Sequence, residues 1–170
     1  MSILKILLYP DNRLRNKAEY VNSIDNNTQI IINNLLDTLY YNKGIGLSAT
    51  QVNIHKKIIV LNIEKEIILI NPELIYKSNE KIDYIKEGCL SIPNIFYSVP
   101  RYKTIKIKAL DRNGNKLIIN SKNNYLLSIC IQHEIDHLNG KLFIDYLSEL
   151  KKSIIFRKIN KYIKINDINK

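Results

Sequence analysis

The sequence predicts an α+β fold in which antiparallel β-sheets surround a central metal-binding H-E-x-x-H helix, with one helix near the N-terminus and one at the C-terminus. Three observations carry this reading. His133-Glu134-Ile135-Asp136-His137 sets two of the chain's three histidines four residues apart, on one face of a helix. Between positions 57 and 120, short runs rich in Ile and other β-branched residues are separated by turn residues. Both ends carry apolar residues near helical spacing.

Residues 26–41 read as the first helix. Asp25 or Asn26 is its cap, and Ile30, Leu35, Leu36 and Leu39 are its expected buried stripe. Residues 57–63, 67–77 and 82–87 read as strands. Thr104 to Leu110 alternates Ile and Lys, Asp111-Arg112-Asn113-Gly114 is a hairpin turn, and residues 116–120 return. Another strand is expected to begin near Arg101, after Val99-Pro100. The motif helix follows, with Asn123 or Asn124 as cap and Gly140 as its stop. Leu126, Ile129 and Cys130 precede His133 by seven, four and three positions. They share its face and set an apolar wall against the metal. A basic helix at about 150–165 closes the chain, its core side marked by Ile154, Ile155, Ile159, Tyr162 and Ile163. No linker or composition break divides residues 1–170, which read as one domain.

Two imidazoles four apart on a helix can reach one metal ion, and the adjoining Glu134 can take a proton from water at that metal. Catalytic sites of this kind hold the metal by three protein groups. Glu149 and His55 are weak candidates for the third. Cys130, on the same helix, reads more naturally as a small buried hydrophobe. Cys89 stands in Glu87-Gly88-Cys89-Leu90-Ser91-Ile92-Pro93, where Gly88 frees the backbone and Ile92-Pro93 is expected to end any helix or central strand. Gly44-Ile45-Gly46-Leu47-Ser48-Ala49-Thr50-Gln51 lacks the Lys-Ser/Thr of a phosphate loop and the third glycine of a dinucleotide fingerprint.

Together, G-I-G-L-S-A-T-Q, E-G-C-L-S and Q-H-E-I-D-H-L-N-G resemble the three motifs of the peptide deformylases, in order and spacing. The resemblance runs nearly end to end. It implies one Fe2+ per chain, replaceable by Zn2+, Ni2+ or Co2+, held by Cys89, His133 and His137. It implies hydrolysis of the N-formyl group from the formylmethionine of newly made polypeptides, with release of formate. In that chemistry Glu134 is the general base. The Gln51 amide and the Leu90 backbone N–H are fitting oxyanion donors. Gly44 and Gly46 let backbone approach a peptide that adds as a strand. Ile45, Ile85, Leu126, Ile129 and Cys130 are candidates for the methionine slot. The sequence departs from the family pattern at Lys43 and Ser48. It departs again at Asn94-Ile95-Phe96, where many bacterial members carry an Arg near the substrate entrance.

The net charge of +10 is mostly lysine, a bias that A/T-rich codons also produce. It is uneven. Lys151, Lys152, Arg157, Lys158, Lys161, Lys164 and Lys170 face only Asp167 in the last twenty residues. This segment reads either as a solvated helix or as a docking face for ribosomal RNA. Two unrelated cysteines argue against a disulfide framework. Ile3 to Leu8 is too short to span a membrane and no cleavage site follows. A thiolate ligand fits a reducing cytoplasm. Two other functions are consistent with parts of the pattern. An H-E-x-x-H endopeptidase requires a Glu or His as third ligand, and a basic RNA-binding module requires a closed four-ligand structural metal.

Overall fold

The computed structural model describes residues 2–168. Lys170 and the side chain of Asp167, both counted in the tail's charge, lie outside the described residues. Among the described residues the fold is mixed, with antiparallel sheets and three α-helices.

Helix α1 (Asn26–Tyr41) has the bounds that its sequence pattern predicts. Asp25 caps it by accepting from the Thr28 backbone N–H at 2.9 Å, one of the donors a helix start leaves unpaired. Leu35, Leu36 and Leu39 are buried as expected, together with Ile32. The expectation for Ile30 fails, since it is 57% exposed. Two residues of helix rotate it about 200° away from Ile32, off the core stripe.

Next come β1 (Gly46–Ser48), β2 (Ile58–Asn62) and β3 (Glu66–Lys77). After them lie β4 (Lys81–Ile82), β5 (Lys86–Cys89), β6 (Ile92–Ser98), β7 (Arg101–Tyr102), β8 (Ile105–Leu110) and β9 (Lys116–Asn120). Five of these form one antiparallel sheet in the order β1-β2-β3-β8-β9, while β4 pairs with β7 and β5 with β6. The run Ile58-Ile59-Val60-Leu61 explains the layering. Its side chains alternate between faces, and all four are buried. Ile58 and Val60 join the core under α1, with Leu35 and Leu39. Ile59 and Leu61 join the opposite core, with Ile131 and Leu138.

One strand expectation needs correction. Residues 82–87 are not one strand. The chain bends between β4 and β5 and changes sheet, so a stretch that reads as one strand is divided. Strand β6 begins at Ile92 and carries Pro93 as its second residue; among the described residues it pairs with β5 alone, so it is not a central strand and tolerates the proline. The hairpin at residues 111–114 joins β8 to β9, with Gly114 at φ +84°.

Helix α2 (Tyr125–Leu138) packs against β1, β2 and β7. Asn124 is the cap, accepting from Leu127 N–H at 2.9 Å. Gly140, at φ +70°, follows its end, and a Cβ there would collide with the carbonyl oxygen of Arg15. Helix α3 (Glu149–Ile168) extends beyond the expected bounds at both ends. Ile155 and Ile159 anchor it to a third apolar core containing Ile95, Leu142 and Phe143. Ile154 is exposed instead. Among the described residues, no helix is long and apolar enough to cross a membrane.

Candidate active site

Three segments distant in sequence converge on one cavity of about 780 Å³. The first is β1 with the short 3-10 helix Ala49–Val52 that follows it. Gly46 lies against Glu134. A Cβ at position 46 would stand 2.6 Å from Glu134 Oε1 and 3.0 Å from Leu61 Cδ2, so this close approach requires glycine. Gln51 is fully buried and held by its carbonyl end. Ser48 donates to Gln51 Oε1 through its backbone N at 2.9 Å and its hydroxyl at 3.0 Å. That leaves Gln51 Nε2 as the donor, 3.2 Å from Ser91 Oγ and 3.6 Å from Cys89 Sγ.

The second segment is the β5–β6 pair, which ends β5 at Cys89. The third is α2, which brings His133, Glu134 and His137 to the same place, all buried. Cys89 Sγ lies 3.2 Å from His137 Nε2. One donor atom from each of Cys89, His133 and His137 falls within 4.8 Å of the others. A thiolate with two imidazoles is a donor set for zinc or iron, and three such donors leave a coordination place for substrate or water. Glu134 Oε2 is buried beside this group, with no partner among the described residues.

Behind the donors runs a chain of buried charge. His133 Nδ1 lies 2.8 Å from Glu87 Oε2, which leaves its Nε2 to face a ligand. Glu87 also takes two bonds from Arg101, at 2.6 and 2.9 Å. Arg101 reaches Asp136 at 2.5 Å, and Tyr146 donates its hydroxyl to Asp136 at 3.0 Å. Burial alone would raise the Glu87 carboxyl, but the bonds from Arg101 and His133 outweigh it and hold Glu87 below the usual carboxylate range. An ionised Glu87 accepts, so His133 Nδ1 carries the proton. Burial pushes Glu134 up to about 7 and the Cys130 thiol up to about 12.

The sequence profile described as Polypeptide deformylase matches residues 3–153. A peptide deformylase of Buchnera aphidicola subsp. Schizaphis graminum is 55% identical over 165 residues, covering 95% of this chain and 96% of that protein. This chain belongs to the polypeptide deformylase family. Solved members share the fold. A peptide deformylase from Legionella pneumophila superposes with a TM-score of 0.90 at 38% identity, covering 98% of each chain. One from Ehrlichia chaffeensis, in complex with actinonin, gives 0.89 at 38% identity, covering 95% of this chain and 98% of that one. Deformylases are hydrolases that remove the N-formyl group from nascent polypeptides, and the Cys-His-His group here suits a metalloenzyme of that family.

The structure brings the sequence-derived candidates together. Ile45, Gly46, Gln51, Ile85, Cys89, Leu90, Leu126, Ile129, Cys130, His133 and Glu134 line the cavity, and His137 lies behind them in contact with Cys89. The weaker ligand candidates lie elsewhere. Glu149 is solvent-exposed and paired with Lys152, and His55 lies within hydrogen-bond distance of Asn16. The Arg101–Glu87 pair joins one of the chain's five arginines to the acid two residues before Cys89, partners that a scarcity of arginine makes easy to single out. Asp136 and Ser91 are not so legible, because nothing in their local pattern marks partners as distant in sequence as Arg101 and Gln51; Ser48 meets Gln51 only three residues on, in a local Ser-x-x-Gln pattern. Ile3, Leu4 and Tyr162 also line the cavity, and only the folded chain reveals them there; Phe96 lines it too, in the stretch that the family resemblance sets near the substrate entrance.

Proposed function

We propose that Cys89, His133 and His137 hold one divalent metal, iron in the working enzyme, and that the surrounding residues hydrolyse the formyl amide of formylmethionyl polypeptides. The observation that carries this reading is the Cys-His-His group beside Glu134, whose buried Oε2 has no protein partner among the described residues. A metal bound there supplies a Lewis acid that acidifies water and polarises the formyl carbonyl.

Glu134 accepts the proton of the attacking water and delivers it to the departing amine nitrogen as the C–N bond breaks. Formate and a free amino terminus leave. Charge gathers on the formyl oxygen during attack. Gln51 Nε2, fixed by the two Ser48 bonds to its other end, and the Leu90 N–H donate to that oxygen. Ile85, Leu126, Ile129 and Cys130 form the apolar slot for the methionine side chain, with Ile45 at its rim. Among the described residues the β1 strand has a sheet partner on one side, β2, so an extended peptide can add along its other edge past Gly44 and Gly46. Residues 1–170 act as one catalytic unit built around α2.

Two features support work on nascent chains in the cytoplasm. A thiolate ligand for iron needs a reducing compartment. Helix α3 also presents Lys151, Arg157, Lys158, Lys161 and Lys164 to solvent, a surface that suits ribosomal RNA. The H-E-x-x-H endopeptidase reading lacks its third ligand, since Glu149 is far too exposed to serve. The deciding experiment is formate release from formyl-Met peptides by protein purified anaerobically. Cleavage of internal peptide bonds without formate release would overturn the proposal.

A further inference from the structure

Large apolar side chains that remain exposed gather at the mouth of the cavity. Ile3, Ile45, Phe96 and Leu126 are all exposed and all line it. Exposed clusters of this kind mark contact surfaces. Phe96 is the most exposed of the four, at 62%. Alternation along β6 turns Ile95 into the core and Phe96 outward. Its ring lies across Gly88, so closely that a Cβ at position 88 would stand 2.5 Å from Phe96 Cε1. Gly88 immediately precedes Cys89. An extended peptide advances about 3.3 Å per residue, so a side chain one or two positions beyond the methionine comes within reach of this ring.

The charges at the same mouth are one-sided. Lys5, Lys43 and Lys86 line the cavity. Its carboxylates, Glu87 and Glu134, are buried, and Glu87 is already paired with Arg101. A basic substrate side chain therefore meets like charge and finds no exposed acid.

We propose that Phe96 is a specificity-determining residue, which favours formyl-Met substrates carrying an aromatic or large apolar residue next to the methionine. The proposal rests on the deformylase reading of the same site. A ring seated on backbone is already ordered, so a second apolar group packs on it at small entropic cost. The lysines act separately and disfavour Lys or Arg at that position.

The test measures kcat/KM for formyl-Met-X-Ser peptides with X as Phe, Leu, Ala or Lys. The wild-type enzyme is expected to prefer Phe and Leu over Ala about three- to tenfold, the size of one aromatic contact, and Ala over Lys. In Phe96→Ala the Phe/Ala ratio should fall toward one while the Ala/Lys ratio persists. Phe96→Leu should restore most of the Leu/Ala preference. A Phe/Ala ratio that survives in Phe96→Ala overturns the proposal. Calorimetric titration of wild type and Phe96→Ala with Met-Phe-Ser and Met-Ala-Ser separates this idea from the reaction itself. Absence of formate from every peptide would sink the deformylase reading. Equal wild-type affinity for the two tripeptides would sink the role of Phe96.

Discussion

Replacing Arg101 by Ala removes the centre of the buried charge chain behind the metal donors. Arg101 and Glu87 are each about 3% exposed, and Arg101 makes bonds of 2.6 and 2.9 Å to Glu87 and 2.5 Å to Asp136. The substitution strands the Glu87 carboxylate in the interior. Removing one partner of such a pair costs about 3–5 kcal/mol, a large share of the 5–15 kcal/mol that typically holds a domain together. The metal feels the same change through His133, whose Nδ1 rests on Glu87. Loss of an outer support of this type weakens metal affinity about 10–100-fold. Arg112→Ala is the control. It also removes an arginine, but one whose partners are the side chains of Gln29 and Asn33, far from the donors. Denaturant midpoints measure the first effect. Chelator titration of metal-loaded protein, kept well below those midpoints, measures the second. Equal metal loss in Arg101→Ala and Arg112→Ala would refute the reasoning, because position 101 would then act only as a generic cation.

Glu134→Gln preserves shape and removes the base, so bound metal should persist while kcat falls by about 10² or more; near-normal turnover would end the general-base role. Cys89→Ala should lose metal and activity together, whereas one metal retained in Cys89→Ala and lost in Cys130→Ala would reverse the assignment. The Cys130 thiol, pushed up to about 12, stays protonated at pH 8, so alkylation mapped by mass spectrometry should spare Cys130 in the folded protein. Changing Lys158, Lys161 and Lys164 to Glu should leave formate release from small peptides almost intact and weaken co-sedimentation with ribosomes, most visibly at low salt. Unchanged ribosome binding would make the tail a solvated face. Ile155→Ala or Ile159→Ala, at sites 1% exposed, should cost about 2–5 kcal/mol of stability.

What the sequence revealed depended on the range of the interaction. Helix α1, the β8–β9 hairpin and the cap and stop of α2 are local. Asp25, Asn124, Gly114 and Gly140 carry their signals within four residues of the structure that they shape. The candidate site was legible for a different reason. Metal chemistry restricts residue types, and three short motifs expose them. The failures are tertiary. β1 has three residues, too few for a periodic pattern to register; β7, shorter still, is marked instead by the Val99-Pro100 before it. The division of residues 82–87 between two sheets follows from where β7 and β6 lie, which no local pattern encodes. Asp136 became a partner of Arg101 only through folding.

The location of the site follows from how the cores divide the molecule. Leu47 and Leu90 belong to the apolar core under α1. Cys89 packs against the core of β6 and α3, and Cys130 and Ile131 of α2 belong to the core on the other side of the large sheet. The donors Cys89, His133 and His137 thus meet where three separately packed bodies come together. Apolar packing within each body cannot by itself fix the spacing between them, because dispersion contacts are short-ranged. Glu87 spans that seam. It lies two residues before Cys89 on β5, bonds His133 on α2, and is held by Arg101 from β7. Arg101 continues to Asp136, one residue before His137. Directional, charge-assisted bonds join the two ligand-bearing elements where packing alone leaves them free to slide. A buried ionic chain is a weak source of net stability compared with an apolar substitute of equal volume. Its contribution here is positional. An Arg101→Met variant should therefore recover part of the stability lost in Arg101→Ala and little of the metal affinity. Recovery of both would show that filling the volume suffices and that the charge chain has no positioning role.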